Sequence, residues 1–204
     1  MTIFKRVVLS LLLMSFQGFN HLNAKEVFLS PVNQAPKLSS SEGYVLIDLD
    51  ASGTAPSIEF VRLGKVDIDY TEDTASKRLS SNVFNLKATE RGLYIGKLKP
   101  GAYQITQVNA PYFGLPYILS TSDLKTWRFT IKKGRINYIG TLVVEGERSK
   151  ENIETYFINS LAKRYNRIIE STKYLEMEFP LTMGTWYRDD FYSEYTKTQE
   201  KTND

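Results

Sequence analysis

Cysteine is absent from the 204 residues of this chain, and histidine occurs once, at His21. The missing thiols exclude disulfide staples and thiol redox chemistry. One imidazole without a thiol is a poor supply for Ser-His-Asp or Cys-His catalysis, and for zinc sites built mainly from Cys and His. No G-x-x-x-x-G-K-[ST] loop, no G-x-G-x-x-G and no Asn-x-Ser/Thr sequon occurs. Long apolar runs are also lacking. The longest is roughly ten residues, well below the ~20 that a membrane-spanning helix needs.

That one apolar run sits in a recognisable order. Lys5 and Arg6 precede Val7–Phe16, which is broken only by Ser10 and Ser15. Gln17–Ala24 is more polar, ends on a small residue and is followed by Lys25 and Glu26. Basic, apolar and small-residue regions in this sequence read as a secretory signal peptide over residues 1–24, with the cut expected after Ala24. The alternative is an uncleaved anchor or a buried first helix. Cleavage discards His21, Lys5 and Arg6. The remaining 24 basic residues face 23 acidic ones, a net charge of +1. The new terminus is not the cysteine that a bacterial lipoprotein requires, and no later segment is apolar enough to anchor the chain. The expected location is periplasmic or secreted, with no transmembrane anchor after cleavage.

Residues 25–42 form a Ser/Pro/Asn/Gln-rich lead-in, loop-like from Pro31 to Ser41. From 43 to 147 the chain alternates in short runs: Tyr44–Leu49, Ser57–Leu63, Val66–Tyr70, Asn82–Leu86, Leu93–Leu98, Ala102–Val108, Trp127–Lys132 and Ile136–Val144. Turn residues at Gly64-Lys65, Lys99-Pro100-Gly101 and Lys132-Lys133-Gly134 separate several of them. This pattern predicts a mainly β protein, an antiparallel β-sandwich. Beyond Ser149 the apolar residues Ile153, Phe157, Leu161, Tyr165, Ile168 and Leu175 recur near the helical period, with charges between them. They predict one long C-terminal amphipathic α-helix over 149–179, capped by Ser149 and ended by Pro180. Residues 180–204 are expected to be a tail, first aromatic, then polar.

The stretch Gly92–Val108, with Leu98-Lys-Pro-Gly-Ala-Tyr103 at its centre, resembles the strand–turn–strand core of transthyretin-like and carboxypeptidase-regulatory-like β-sandwiches. Phe129–Leu142 resembles a hairpin of uncharacterised bacterial exported proteins with a similar domain. The resemblance covers at most residues 43–147. It implies a sandwich fold and an accessory, adhesive or binding role, and brings no catalytic residues. Locally, Pro100 fixes φ at the first turn position and Gly101 can take the positive φ of the second.

Carboxylates are the one common catalytic device left. Asp48 and Asp50 lie two apart on one strand and point the same way, which reads as a solvated strand face more readily than as a glycosidase pair facing across a cleft. Asp67, Asp69, Glu72 and Asp73 crowd one stretch without the spacing of a calcium loop. Ser122-Asp-Leu-Lys125 fits the bare S-x-x-K spacing but lacks its companion motifs. No catalytic, cofactor-binding or metal-binding residue is expected.

Charge is uneven along the chain. Residues 42–73 hold eight acidic residues, whereas 77–135 hold eleven basic ones, Arg128, Lys132 and Lys133 among them. This could be a basic surface for an anionic partner, or neighbouring strands whose charges pair across a sheet. The proline-bounded Pro111-Tyr-Phe-Gly-Leu-Pro-Tyr117 loop offers Tyr112, Phe113 and Tyr117 either to a glycan or as a lid on the core. Trp186 in the tail is equally ambiguous. The sequence points to an exported, non-enzymatic accessory or binding module of a bacterial cell envelope. Its partner would be an envelope protein or glycan, and nucleic acid is not expected. The alternatives are a glycan-binding module using residues 111–117 and a polysaccharide hydrolase using the carboxylates Asp48, Asp50, Asp67 and Asp69.

Overall fold

The computed structural model describes residues 25–51, 55–64, 78–85, 91–110, 117–147 and 152–185. The elements are β1 (Lys25–Val27), β2 (Ser30–Pro31), β3 (Gly43–Ala51), β4 (Ser57–Leu63), β5 (Arg78–Asn85), β6 (Gly92–Leu98), β7 (Gly101–Asn109), β8 (Ile118–Ser120), β9 (Arg128–Ile131), β10 (Ile136–Glu147), β11 (Asn152–Ile158), helix α1 (Leu161–Glu176) and β12 (Leu181–Met183). Val66–Tyr70 lies outside the described residues.

The strands form the expected sandwich, with a C-terminal helix on one outer face. One sheet runs β1-β5-β4-β7, with β8 and β9 sharing the far edge of β7. The other runs β11-β10-β3-β6-β2, with β12 also on β10. The sheets are mixed rather than purely antiparallel, because β1 runs parallel to β5 and β10 runs parallel to both β3 and β12. The Lys99-Pro100-Gly101 step is therefore an arch, not a hairpin. It carries the chain from β6 in one sheet to β7 in the other, with Gly101 at φ +148°.

Strand alternation builds two cores. Val45, Ile47 and Leu49 of β3 meet Phe60, Phe84, Ile105 and Phe129 between the sheets, where Phe60 and Phe84 stack at 4.1 Å. Tyr44 and Leu46 point the other way and join Ile95, Tyr138 and the helix residues Leu161, Ile168 and Leu175. β10 serves both cores by changing parity. Ile136 and Tyr138 face the helix, whereas Ile139, Leu142 and Val144 face the inter-sheet core. A bulge between Tyr138 and Gly140 makes that switch. Gly140 sits at φ +132°, and a Cβ there would lie 3.0 Å from the Ile158 carbonyl oxygen.

The helix is shorter than the period predicts, because residues 152–158 form strand β11. Ile153 and Phe157 are four apart, a spacing that keeps two residues on one face of a strand as well as of a helix. Here both pack on the inter-sheet core. The helix starts after Ser160, and Asn159 Oδ1 accepts a hydrogen bond from the Leu161 N–H at 3.1 Å.

The two ends of the described chain act as straps across the open sides of the sandwich. At one side β1 pairs with β5 and, after Phe28 and Leu29, β2 pairs with β6 of the opposite sheet. At the other side β12 pairs with β10, after which Thr185 bridges to Phe129 of β9. The lead-in is thus structured where the sequence suggests loop. Val32 is buried in the helix-side core, and the Tyr174 hydroxyl donates to its carbonyl oxygen.

Candidate functional site

The acidic pair on β3 occupies different surroundings from those its alternation suggests. Asp48 is fully buried, because the face it shares with Tyr44 and Leu46 is the floor on which α1 lies. Arg164 Nη1 approaches Asp48 Oδ2 to 2.5 Å, and its Nη2 lies 3.3 Å from Asp50 Oδ2. Arg91 Nε closes the group on Asp50 Oδ1 at 2.7 Å. Although the Arg164 contact is close, neither Asp48 oxygen has a well-aligned hydrogen-bond donor among the described residues. Burial raises the Asp48 carboxyl above the ordinary carboxylate range, and the Arg164 charge opposes that shift. A carboxylate sealed under a helix and matched to an arginine has no approach for a substrate. The pair ties helix to sheet.

Of the residues singled out as a binding surface, Tyr117, Arg128, Lys132 and Lys133 lie among the described residues. Tyr117 is half-buried against the inter-sheet core, and its carbonyl oxygen accepts from the Ala110 N–H at 2.8 Å. Tyr112, Phe113 and Trp186 lie outside the described residues, as do Asp67, Asp69, Glu72 and Asp73. Arg128 is half-buried on β9 and donates from Nε to Gln104 Oε1 at 2.8 Å. Ser122 donates to the Thr106 carbonyl oxygen while Lys125 is exposed, and nothing arranges them as nucleophile and base. Lys132 and Lys133 are exposed on the β9–β10 turn. Part of the charge asymmetry is indeed paired across neighbouring strands, since β3 lies beside β6 and Lys97 Nζ lies 3.8 Å from Glu42 Oε2.

The turn that carries Lys132 and Lys133 belongs to a basic end of the sandwich. Gly43 pairs with Leu98, Gly101 pairs with Ile131, and the Gly134 N–H donates to the Glu42 carbonyl oxygen at 2.9 Å. These links bring the starts of β3 and β7 and the ends of β6 and β9 together. An open cleft of about 680 Å³ lies at this end, beside the β1 strap. Four cationic residues line it, Lys25, Arg62, Lys97 and Lys99, together with Glu26 and Glu42. Val27, Phe28, Pro36 and Leu98 supply the apolar part of the wall, and Tyr103 contributes as well. Arg62 Nη2 donates to the Pro100 carbonyl oxygen at 2.6 Å, and the Tyr103 hydroxyl donates to the Lys99 carbonyl oxygen at 2.6 Å. Both bonds fix the arch that forms the cleft wall. Glu42 accepts from the Ser39 N–H, and hydrogen bonding to Ser39 holds its carboxyl below the usual range.

No protein-family model matches this chain, and no curated protein matches it significantly.

Sequence reasoning missed the cleft because its walls come from five separated stretches. Lys97 and Lys99 were visible as part of the basic stretch and Lys25 as the residue after the leader. Their meeting depends on the β1 strap crossing from one sheet to the other, which no local pattern announces. Among the described residues no group of three acidic or metal-ligating side chains is placed to hold a metal ion, and no helix is long and apolar enough to cross a membrane.

Proposed function

We propose that this chain is an exported, non-enzymatic accessory or binding module of a bacterial cell envelope, and that it meets its ligand at the basic end of the sandwich. The observation that carries the reading is the open cleft between the β1 strap and the β6–β7 arch, which four cationic residues line. A cleft of this volume lies within the usual range for small-ligand sites. The leader-like pattern of residues 1–24 supports export. The burial of Asp48 under α1 supports a structural role for the strongest carboxylate pair, and so weakens the hydrolase alternative.

Intact mass and cell fractionation test export. The protein is expected outside the cytoplasm with a mass that starts near Lys25. Photo-crosslinkers at Phe28 and Lys99 are expected to capture one envelope component that a crosslinker at the exposed helix residue Lys163 does not. Cytoplasmic retention, or the same captures from all three positions, overturns the reading.

A further inference from the structure

We infer, building on the reading above, that the cleft is a site for an amphiphilic anion: a phosphate or carboxylate head that carries an apolar portion. The charge balance selects the head. Four cations line the cleft against two acids, and both acids are occupied. Glu42 is engaged by Ser39 and Lys97, and Glu26 has a partner of its own. Lys25 and Lys99 are both exposed; Lys25 acts on the Glu42 carboxylate at longer range, and Lys99 makes no ion pair among the described residues. Arg62 is held in place by the Pro100 carbonyl oxygen, so part of the cationic wall is fixed before any ligand arrives. The turn bearing Lys132 and Lys133 extends positive potential around the same end of the molecule, which draws anions toward the mouth.

Phe28 selects the apolar portion. It lies between β1 and β2, where the strap crosses between the sheets, and its side chain is 75 % exposed. Its neighbours Val27 and Leu29 pack on the inter-sheet core, whereas Phe28 turns out into the cleft wall. An exposed aromatic ring beside exposed lysines offers apolar contact next to a charged head. A bare phosphate would leave that ring uncovered, and a neutral amphiphile would leave the lysines unmatched.

Calorimetric titration of the purified protein with octyl phosphate, inorganic phosphate and octyl glucoside tests both halves. Octyl phosphate is expected to saturate a single site, with affinity that falls as salt screens the head. Inorganic phosphate and octyl glucoside are each expected to bind roughly tenfold more weakly or worse. Lys99→Gln, Lys25→Gln and Phe28→Ala each remove one contact, and each is expected to weaken octyl phosphate about three- to tenfold. Lys163→Gln on α1 should change nothing. Circular dichroism of each variant checks the fold, and the lysine variants alter exposed side chains, so one of them serves if Phe28→Ala is unfolded. Sedimentation with phosphatidylglycerol vesicles against phosphatidylcholine vesicles separates the sources. Binding to the former that Lys99→Gln weakens identifies a lipid headgroup, and binding of octyl phosphate alone identifies a free anion. Octyl glucoside binding as tightly as octyl phosphate, or cleft variants without effect, overturns the inference. The envelope-module reading stands or falls separately, on fractionation and crosslinking.

Discussion

Replacing Arg164 by Met should make the stability of this protein depend on the protonation of one buried carboxyl. Asp48 has no solvent exposure, and Arg164 Nη1 stands 2.5 Å from it. Removing one partner of such a pair costs about 3–5 kcal/mol, since the remaining charge is neither hydrated nor compensated. Protonation limits the penalty. Neutralising a carboxyl of ordinary pKa 3.8 at pH 7 costs about 4 kcal/mol, which caps the penalty, and burial acts in the same direction by raising the Asp48 carboxyl. The expected loss at neutral pH is therefore about 3 kcal/mol, read from urea unfolding. The pH dependence has a definite sign. A carboxyl whose pKa is raised by folding favours the fold most below its ordinary range, and that contribution is lost as pH rises through the raised value. Without Arg164 that window extends upward. The deficit of the variant should be near zero in acid and reach its full size toward neutrality. Asp48→Asn in the same background should recover most of it. A neutral-pH loss under about 1 kcal/mol, an equal loss in acid, or no recovery with Asn refutes this account of the pair.

Two further outcomes follow from buried polar groups. Asn137→Ala should cost about 2–3 kcal/mol in denaturant unfolding. The amide group of Asn137 donates to the Tyr44, Lys132 and Arg135 carbonyl oxygens, while its Oδ1 accepts from the Lys132 N–H, and an unchanged midpoint would show that these bonds are replaceable. Burial pushes both Tyr103 and Tyr138 up to about 12. Stability from these phenols is present below their ordinary value of 10 and is lost as pH rises from there toward 12, so spectrophotometric titration should show late-ionising phenols whose release coincides with unfolding. A folded protein whose phenols all ionise together near pH 10 would contradict it.

The sandwich was legible because β3, β4, β6 and β7 carry alternating apolar runs, and alternation reports a face buried against another layer. The same signal concealed β11, where the four-residue spacing of Ile153 and Phe157 suits either period. It also concealed the second face of β3. Asp48 looked solvated because a charge in an alternating strand is ordinarily outside, and its partner Arg164 lies 116 positions downstream on the helix. Lys132 and Lys133 were found as basic turn residues. Their proximity to the cleft depends on the arch at Pro100 and on the strap at Lys25–Val27, contacts that bring together distant parts of the chain.

Those distant contacts set an order of assembly. Strand β3 emerges early in synthesis, yet its parallel neighbour β10 lies more than ninety residues on: Asn137 bonds the Tyr44 carbonyl oxygen across 93 positions, and Tyr174 reaches Val32 across 142. A chain delivered N-terminus first must therefore hold Tyr44, Leu46 and Ile95 uncovered until the last third arrives. Such topology folds on the millisecond-to-second scale rather than the microsecond scale of local helical bundles. Chains halted before α1 should accordingly be sticky and protease-sensitive, so helper proteins that guard unfinished chains would act mainly on this exposed face.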